Sequence, residues 1–501
     1  MQIGALIRRA ALFFGDAPCL VEGARIVSFR DFDALTDRLG NALLACGLKA
    51  QERVGVLMPN GIDCLVAYYA LAKSGLVRVS LNMRETAENH AYKLEDSGAR
   101  AVIHGGVDGL KVEITIGPER LAELIATGEA TPCAIDRDPD APYRLGYTGG
   151  TTGRSKAVTL TTRGELAELS AFLTDLVPDI RAGDTFLHAA PIAHASGAFF
   201  LPCLIRGARS LVMAKFEAAD FVRLAERERA DMTFLVPTML AIVLEQPETA
   251  GANFAFRRIV YGASPIAHAL LERAERRFGR IFAQTYGQAE SPMVITCLRP
   301  EDHDRVGSCG RPFTIVEVGV VDEQDRALPV GERGEIVCRG PQTMAYYWNR
   351  PEATADAFRN GWLHTGDIGY MDAQGFFYLA DRKHDMLISG GYNVYPREVE
   401  DVLLSCEGVI EAAVIGLPDE KWGDRVHAVV AGRPGLGVEA LLDHARAHLA
   451  SYKRPKAIEI WPELPKSSAN KILRRAIRDR ILARDAPAAA IGEACSPERA
   501  R

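Results

Sequence analysis

The sequence predicts an α/β protein with a large N-terminal domain and a small α+β C-terminal domain. Helical patterns alternate with short apolar runs from Phe29 to about Met213 and again from Phe216 to Thr285, as in two layered α/β subdomains with largely parallel sheets. From Thr314 to Leu379 the pattern changes to short strands with glycine turns, which predicts a β-rich subdomain. The chain has 501 residues, more than one hydrophobic core usually serves, so at least two domains are expected.

The periodicity of apolar residues predicts individual elements in each region. In the large domain they are helix Phe32–Leu44, strand Arg53–Met58, helix Leu65–Ser74, strand Val77–Leu81, helix Phe216–Arg229, strand Met232–Val236, helix Pro237–Leu244, strand Arg258–Tyr261, helix Pro265–Phe278, and strands Ile281–Thr285, Val316–Val321, Glu335–Arg339 and Phe376–Ala380. In the small domain they are helix Glu398–Leu404, strands Val409–Leu417 and Arg425–Ala431, helix Val438–Leu449, strand Ala457–Trp461 and helix Ile472–Ala483.

The boundary between the two domains is predicted at the charged run Asp381–Asp385, which lies between two apolar strands. Composition alone allows either a solvated turn or a hinge there. We expect a large domain over 1–381, a hinge at 382–385 and a small domain over 386–483. Residues 484–501 are rich in alanine, proline and charge and have little to bury, so a disordered tail is expected.

Composition excludes several classes of function. A net charge of −6 and a pI near 6.1 argue against nucleic acid as the main partner. Ten cysteines are scattered without CxxC pairs, which is typical of a reducing compartment and predicts a cytoplasmic protein. Arg8 and Arg9 interrupt the N-terminal apolar run, so an amphipathic helix is expected there and not a signal peptide. No apolar run reaches the length of a membrane span.

The most informative segment is the glycine- and threonine-rich run within Tyr147–Val158. Glycines let backbone N–H groups converge on phosphate, and the hydroxyls and Lys156 would add donors. The segment follows one short apolar run and precedes another, so a loop between strands is predicted. It is not the common nucleotide P-loop, because Lys156 does not directly follow a glycine. By itself it could be a phosphate cradle or an ordinary turn.

Four further segments carry chemistry, and each has a plain structural alternative. His194 follows an apolar run in Ala189–Gly197 and could be catalytic or a satisfied structural histidine. Gln284–Glu290 offers an aromatic ring for a base and a carboxylate for Mg²⁺, or is an ordinary strand exit. Asp367 follows a glycine and could accept ribose hydroxyls or form an Asx turn. Lys471 precedes a basic helix and could be catalytic or merely solvated.

Taken in order, these segments resemble the adenylate-forming superfamily, which includes acyl-CoA synthetases, nonribosomal adenylation domains and beetle luciferases. The resemblance extends from about Phe29 to Ile481. Within that range three further segments match the family: Tyr261–Pro265, Ser389–Gly391 and Lys466–Arg475. Within the superfamily, the chain is most similar to the acyl- and aryl-CoA ligases, including the 4-chlorobenzoate type. Ser155 and Ala157 depart from the usual proline and glycine of the loop but leave its donors in place.

The resemblance implies a role for each matching position. Lys471, His194 and Glu290 would be catalytic, with Lys471 bridging the substrate carboxylate and the adenylate, and Thr148 and Glu290 would hold Mg²⁺. The ATP- and AMP-binding residues would be Thr148, Gly149, Gly150, Thr151, Thr152, Gly153, Lys156, Gly262, Ala263, Ser264, Gln284, Thr285, Tyr286, Gly287, Asp367 and Arg382.

The family rotates a mobile small domain between its two half-reactions, and His384 occupies the pivot position that is usually Asp or Lys. The residues expected to bind CoA are Arg84, Gly390, Gly391, Trp422, Tyr452, Arg454 and Lys456. The alternative is that the arginine and lysine side chains are merely solvated at the surface and that the tryptophan is packed beside them. The expected acyl pocket is His194, Gly197, Tyr261, Gly262, Gly287 and Met293. Amino-acid-activating relatives carry an aspartate in or shortly before this segment, and Ala189–Gly197 has no acidic residue, so an amino acid substrate is not expected. The expected pocket is mostly apolar or small, which favours a hydrophobic monocarboxylate over a dicarboxylate.

The sequence therefore predicts an ATP- and Mg²⁺-dependent carboxylate–CoA ligase that works through an acyl-adenylate. Its partners would be a small carboxylic acid, ATP and CoA, and no nucleic acid. The protein itself is expected to be a monomer or a homodimer. The leading alternative is a freestanding adenylating enzyme that loads an acyl-carrier protein. A non-catalytic homologue is a more distant alternative, against which the presence of Lys471, Glu290 and Asp367 argues.

Overall fold

The computed structural model describes residues 2–133, 135–148, 154–382, 386–389, 392–419, 422–466 and 472–485, with the backbone alone at 381, 382 and 393. The described residues up to 382 form one compact unit, and those from 386 onward form a second. Within the described ranges, none of the helices combines the length and the apolar character needed to cross a membrane.

The first unit begins with alternating helices and short strands. In chain order these are α1 Ile3–Phe14, β1 Pro18–Glu22, β2 Arg25–Ser28, α2 Phe29–Ala45, β3 Arg53–Leu57, α3 Ile62–Lys73, β4 Val77–Ser80, α4 Ala87–Ser97, β5 Ala101–His104, β6 Ile114–Ile116, α5 Pro118–Thr127, β7 Pro142–Tyr147, β8 Ala157–Thr161, α6 Thr162–Ala171, β9 Thr185–His188, α7 Ala195–Ala198, α8 Phe200–Arg206 and β10 Arg209–Val212. A π-helical turn, Phe172–Leu176, follows α6.

The rest of the first unit turns from helix–strand alternation to antiparallel strands. Its elements are α9 Ala218–Arg227, β11 Met232–Leu235, α10 Pro237–Leu244, α11 Pro247–Gly251, β12 Arg258–Gly262, α12 His268–Phe278, β13 Phe282–Gln288, β14 Ser291–Leu298, a 3₁₀ turn Pro300–Asp302, β15 Ser308–Pro312, β16 Glu317–Val321, β17 Gly334–Arg339, β18 Tyr346–Tyr347, α13 Pro351–Ala357, β19 Phe358–Arg359, β20 Trp362–Met371 and β21 Phe377–Arg382.

Two sheets organise this unit. The smaller has the order β18-β8-β7-β4-β3-β5-β6, and its strands from β7 to β6 are parallel. The larger runs β16-β17-β20-β21-β15-β14-β13-β12-β11-β9-β10-β1-β2, with parallel pairing from β13 to β1. Strands such as β5 and β11 are buried along their whole length, as expected for parallel strands covered by helices on both faces.

The β-rich region predicted from Thr314 to Leu379 continues the larger sheet. Strands β14, β15, β21, β20, β17 and β16 pair antiparallel in that order and extend the sheet beyond β13, the last strand of the parallel part. An antiparallel hairpin from β13 to β14 makes the transition, so one sheet joins the α/β and the β-rich parts. The carboxyl ends of β12 and β13 lie next to this transition.

The second unit is a small α+β structure. It contains β22 Leu387–Ser389, β23 Tyr392–Val394, α14 Pro396–Leu404, β24 Val409–Asp419, β25 Gly423–Gly432, α15 Val438–His448, β26 Ala457–Ile460 and α16 Arg474–Asp485. The long β24–β25 hairpin is its centre, and a core that includes Val399, Leu403 and Leu441 packs helices on one face.

Most predicted elements lie within a few residues of the observed ones, and helix α10 has the predicted bounds. The expected start of the disordered tail is wrong by at least two residues. The sequence predicts that the tail begins at residue 484, but α16 continues through Asp485. The Arg484 guanidinium donates to both carboxylate oxygens of Glu459, at 2.8 and 2.9 Å, which holds the last turn against β26. The remainder of that predicted tail, 486–501, lies outside the described residues.

Candidate active site

The predicted phosphate loop leaves the sheet through an antiparallel hairpin. Strands β7 and β8 pair so that Tyr147 lies opposite Ala157. The Thr148 N–H donates to the Lys156 carbonyl at 3.0 Å, and the Lys156 N–H donates to the Thr148 hydroxyl at 3.3 Å. Both ends of the loop are therefore fixed side by side, as a loop between two strands requires. Gly149, Gly150, Thr151, Thr152 and Gly153 lie outside the described residues.

Helix α4 supports the far side of this hairpin. The Tyr92 hydroxyl donates to the Ser155 carbonyl at 2.9 Å, and the Tyr147 hydroxyl lies 3.0 Å from the Lys93 carbonyl. Arg154 lies 5.1 Å from the centre of the Tyr92 ring, within cation–π range. The described residues on either side of the loop therefore contact α4, a helix that the sequence did not connect with it.

Tyr347 joins the two groups expected to meet the triphosphate. Its hydroxyl donates to Glu290 Oε1 at 2.6 Å, while the Lys156 ammonium lies 4.9 Å from the centre of its ring. Strand β18 carries Tyr347 and pairs with β8, so Tyr347 lies opposite Val158. Burial, followed by the charge of Glu290, raises the pKa of Tyr347, so the hydroxyl keeps its proton and remains a donor. Sequence reasoning missed this tyrosine.

Glu290 lies in the turn between β13 and β14, which fixes its backbone. Its carbonyl accepts a hydrogen bond of 2.7 Å from the Met344 N–H, and its side chain is half-buried. Among the described residues, no cluster of three His, Cys, Asp or Glu side chains could cage a metal. One carboxylate and one threonine hydroxyl, the pair that the resemblance assigns to the metal, are instead the kind of donor set that suits Mg²⁺ arriving with nucleotide phosphates. The residues present therefore fit Mg²⁺–ATP.

The carboxyl ends of β12 and β13 bring several of the predicted nucleotide residues together. These parallel neighbours place Tyr261 beside Gln284 and Gly262 beside Thr285. A Cβ at Gly262 would come within 2.5 Å of the Thr285 carbonyl oxygen, so only glycine allows this approach. Ala263 follows with φ of +69°, a left-handed conformation that costs energy for a residue with a Cβ. Ser264, next in the chain, is half-buried.

A bulge shapes the start of the β13–β14 hairpin. The register shifts between Tyr286 and Gln288, and a Cβ at Gly287 would lie 2.5 Å from the Met293 backbone nitrogen. Met293 itself has φ of +56°, and the Thr285 hydroxyl donates to its carbonyl. Such bulges redirect side chains at strand ends. Two predicted acyl-pocket residues, Gly287 and Met293, are thus brought into contact.

Tyr261, another residue predicted at the acyl pocket, belongs to a buried series of polar contacts. Its hydroxyl is 3.1 Å from Gln284 Oε1 and 3.2 Å from His303 Nε2, and only 1% of the residue is exposed. His303 Nδ1 donates to the Arg299 carbonyl at 2.8 Å. Burial lowers the pKa of His303, so this imidazole is neutral near pH 7 and Nε2 is an acceptor. Sequence analysis did not identify His303.

The predicted ribose residues lie on two paired strands. Asp367 on β20 is opposite Arg382 on β21. The Tyr286 hydroxyl donates to Asp367 Oδ2 at 2.6 Å, and burial followed by the charge of Asp367 raises the pKa of Tyr286. Glu335, another residue that sequence reasoning missed, accepts a hydrogen bond of 3.0 Å from the Gly366 N–H and supports the turn before Asp367.

His194 is exposed at the start of α7, with Gly197 inside that short helix. Its Nε2 lies 2.5 Å from Nδ2 of Asn82, a residue that follows β4. The other end of the Asn82 amide accepts the Arg84 N–H at 2.9 Å. A residue expected at the acyl pocket and a residue expected at the CoA nucleotide are therefore joined through one amide, which the sequence did not indicate.

The second unit brings two of its predicted CoA-binding residues together. The Lys456 ammonium lies 4.6 Å from the centre of the Trp422 ring. Tyr452 packs on Tyr392 with ring centres 4.8 Å apart. Arg454 is half-buried, and its Nε donates to the Leu449 carbonyl at 2.9 Å. His384, Gly390, Gly391 and Lys471 lie outside the described residues, so their predicted roles stay predictions.

Comparisons with known proteins agree with these observations. The family model of the AMP-binding enzyme matches residues 7–348, and that of the AMP-binding enzyme C-terminal domain matches residues 398–471. The chain is 36% identical to the medium/long-chain-fatty-acid–CoA ligase FadD8 of Mycobacterium tuberculosis, over 96% of this chain and 89% of that one. It is 35% identical to the feruloyl-CoA synthase of an Amycolatopsis species, over 96% of this chain and 99% of that one.

A solved enzyme also has the same fold. The o-succinylbenzoate CoA synthetase MenE of Bacillus subtilis in complex with its acyl-adenylate intermediate has a TM-score of 0.87 and 31% identity, covering 95% of this chain and 98% of that one. The same enzyme in complex with ATP and magnesium ion has a TM-score of 0.85. The fold class predicted from the sequence is confirmed by this match. The chain belongs to the AMP-binding enzyme family, and its predicted resemblance to adenylate-forming enzymes is confirmed.

Proposed function

We propose that the chain is an ATP- and Mg²⁺-dependent carboxylate–CoA ligase that converts a hydrophobic monocarboxylic acid into its acyl-CoA thioester through an acyl-adenylate. One observation carries this proposal above the others. Tyr347 contacts both Lys156 and Glu290, the two groups expected to meet the triphosphate and its metal. The named relatives are CoA ligases over almost the whole chain, which supports the same reaction class.

In the first half-reaction a carboxylate oxygen of the acid attacks the α-phosphate of ATP. The bond from the α-phosphorus to the bridging oxygen breaks, and pyrophosphate leaves with the electron pair. Negative charge accumulates on phosphate oxygens, so fixed donors supply most of the stabilisation. Thr148, Lys156 and the glycine loop would hold the outgoing pyrophosphate, and Mg²⁺, when bound, would neutralise part of that charge.

Lys471 would act where two anions must approach each other. Its ammonium would bridge the substrate carboxylate and the α-phosphate and so reduce their repulsion. Asp367 and Arg382 would bind the ribose hydroxyls, and Tyr286 would lie against the adenine. The hydrogen bond from Tyr286 to Asp367 supports this assignment, because it fixes the carboxylate before the nucleotide arrives.

In the second half-reaction the CoA sulfur attacks the acyl carbonyl. A C–S bond forms, the C–O bond to AMP breaks, AMP leaves, and the thiol proton goes to solvent or a base. We assign the nucleotide end of CoA to Arg84, Trp422, Tyr452, Arg454 and Lys456. The cation–π contact between Lys456 and Trp422 presents an aromatic face beside a cation, the chemistry that adenine and a 3′-phosphate require. The named relatives that are CoA ligases favour CoA over a carrier protein as the acceptor.

The acid is assigned only to a class. The expected pocket is mostly apolar or small, and the named relatives act on fatty acids and on ferulate, which supports a hydrophobic monocarboxylate of fatty, alicyclic or aryl type. We assign residues 382–385, with His384 as pivot, to a hinge between domains 1–381 and 386–485. We place the enzyme in the cytoplasm as a monomer or homodimer, and the nine described cysteines, all free thiols, support a reducing location.

The test is a panel of acids with ATP and Mg²⁺ in which AMP release is measured. Octanoate, palmitate, cyclohexanecarboxylate, benzoate and a hydroxycinnamate would each be offered with CoA or with a phosphopantetheinylated carrier protein, and phenylalanine would serve as the amino-acid control. We expect AMP and thioester with at least one hydrophobic acid and CoA, and none with phenylalanine. Thioester formation on the carrier protein alone would contradict the CoA assignment, and ADP in place of AMP would contradict the adenylation.

A further inference from the structure

We propose that Asn82 is a positioning residue that holds His194 in its neutral, Nδ1-protonated tautomer and connects it to the turn that carries Arg84. The inference rests on the proposed function in assigning His194 to the acyl site and Arg84 to CoA. The geometry behind it does not depend on that assignment.

Asn82 is held on three sides. It is 7% exposed, and its backbone carbonyl accepts from His90 Nε2 at 2.8 Å and from the Glu85 N–H at 3.0 Å. Its side-chain Oδ1 accepts the Arg84 N–H at 2.9 Å. Its Nδ2 lies 2.5 Å from His194 Nε2. The amide therefore cannot rotate without losing a contact on the turn that follows β4.

The proton positions follow from these partners. The Arg84 N–H can only donate, so the atom facing it must be the amide oxygen, and the amide NH₂ must face His194. An NH₂ group can only donate, so His194 Nε2 must offer its lone pair. A neutral imidazole with a lone pair on Nε2 carries its proton on Nδ1. Protonation of Nε2 would place two donors against each other, so Asn82 disfavours the imidazolium.

This arrangement has a consequence for acyl transfer. A neutral imidazole adds no full charge to a pocket expected to hold an apolar acid. Because the same amide contacts the backbone of Arg84, the position of the imidazole is coupled to the turn expected to bind CoA. Asn82 should therefore affect thioester formation more than adenylation.

The test compares three variants of the full-length enzyme. Asn82→Ala removes both side-chain contacts. Asn82→Asp keeps an acceptor for the Arg84 N–H but replaces the NH₂ group with an oxygen that favours the imidazolium. Asn60→Ala is the matched control, because Asn60 contacts the same segment through the Ile192 N–H, which donates to its Oδ1 at 2.8 Å, whereas the contact of Asn82 is with the His194 ring itself. The signal of His194 would be assigned with His194→Gln.

Two readouts separate the possibilities. In ¹⁵N spectra of the histidine rings, the wild type and Asn60→Ala should show His194 protonated at Nδ1 alone. Asn82→Ala should show a mixture of tautomers, and Asn82→Asp should show a larger doubly protonated fraction than the wild type at the same pH. For Asn82→Ala, thioester formation from supplied acyl-adenylate should fall roughly tenfold, the loss expected for one hydrogen bond, while ATP–pyrophosphate exchange should fall less than about threefold.

A wild-type His194 protonated at Nε2, or an unchanged tautomer in Asn82→Ala, would overturn the inference. Equal losses in both half-reactions would overturn the coupling to CoA. These outcomes are distinguishable from failure of the proposed function. If no acid supports AMP release, the ring spectra still report the tautomer, and if the tautomer is wrong, the ligase activity is unaffected.

Discussion

The hydroxyl of Tyr286 donates a hydrogen bond of 2.6 Å to Oδ2 of Asp367, across 81 residues of chain. Tyr286 ends the parallel part of the larger sheet, and Asp367 lies on β20 of its antiparallel part. Both residues are 8% exposed, so the bond is shielded from water and worth more than a surface contact. It orients the carboxylate expected to bind ribose.

Replacement of Tyr286 by Phe should therefore weaken nucleotide binding specifically. Without the donor the Asp367 carboxylate loses one of the contacts that orient it, and the KM for ATP should rise about tenfold, the equivalent of roughly 1.4 kcal/mol. The KM for CoA should stay within about twofold. The control is Tyr378→Phe, which removes a hydroxyl that donates to Asp372 at 3.2 Å, a contact between two residues outside the predicted site. An equal effect in both variants would contradict the assignment.

A second prediction concerns Tyr347, which contacts both the lysine expected at the phosphates and the carboxylate expected at the metal. Tyr347→Phe keeps the ring beside Lys156 but leaves Glu290 without its donor, so ATP–pyrophosphate exchange at saturating Mg²⁺ should fall about tenfold. Tyr347→Leu also removes the cation–π contact and should lose about another threefold. Tyr346→Phe, at the exposed neighbouring position, is the matched control. A fully active Tyr347→Phe enzyme would show that the contact with Glu290 has no catalytic role.

The third prediction separates CoA binding from a solvated basic surface. Arg84→Ala and Arg454→Ala should each raise the KM for CoA about tenfold, because a charge-assisted contact with phosphate is lost, and leave the KM for ATP unchanged. Arg120→Ala provides the comparison, since Arg120 is paired with Glu123 on helix α5, away from the predicted sites. Equal weakening towards both substrates would contradict the CoA assignment.

The sequence predicted the order of elements well because apolar periodicity is a local property. Helix α10 begins with a proline and ends where its apolar run ends, so its bounds could be predicted. Strand β13 extends past the predicted Thr285 to Gln288 because it pairs with β14 in a hairpin, which a single strand pattern does not reveal. The junction of the β-rich region with the larger sheet depends on the same pairing.

Residues of the candidate site could be proposed from the sequence only where they lie in contiguous motifs. Gly262, Tyr286, Glu290 and Asp367 stand in recognisable segments. The residues that hold them do not: Tyr347 is 57 positions from Glu290, and Asn82 is 112 positions from His194. No local pattern marks such a partner, because the contact arises only when separate strands are brought together. His303 and Glu335 were missed for the same reason.

The fourth prediction is a pH dependence of stability that arises at His188. This residue ends β9, its Nδ1 donates to the Ser196 carbonyl at 3.0 Å, and burial lowers its pKa to about 4. In the unfolded chain the His188 imidazole binds a proton near pH 6.5, whereas in the folded protein it stays neutral until about pH 4. The stabilisation is therefore complete above pH 6.5 and is lost as the pH falls towards 4, by about 3 kcal/mol in total.

The measurement is the free energy of unfolding by urea at pH 7 and pH 5. The free energy of unfolding that is lost between pH 7 and pH 5 should be smaller by about 2 kcal/mol in His188→Asn than in the wild type. The reason is that the asparagine amide can donate to Ser196 without titrating. Equal pH dependence in both proteins would show that His188 titrates normally in the folded state. His268→Asn, at an exposed helical position, should leave the wild-type pH dependence intact.

The most direct test of the whole account is the division of the reaction at Lys471. In Lys471→Ala, carboxylate-dependent exchange of pyrophosphate into ATP should fall by at least about a thousandfold, because the cation that bridges carboxylate and α-phosphate is lost. Formation of acyl-CoA from supplied acyl-adenylate and CoA should remain within about threefold of the wild type. Exchange that survives the substitution, or thioester formation lost together with it, would contradict a ligase that uses this lysine only to make the adenylate.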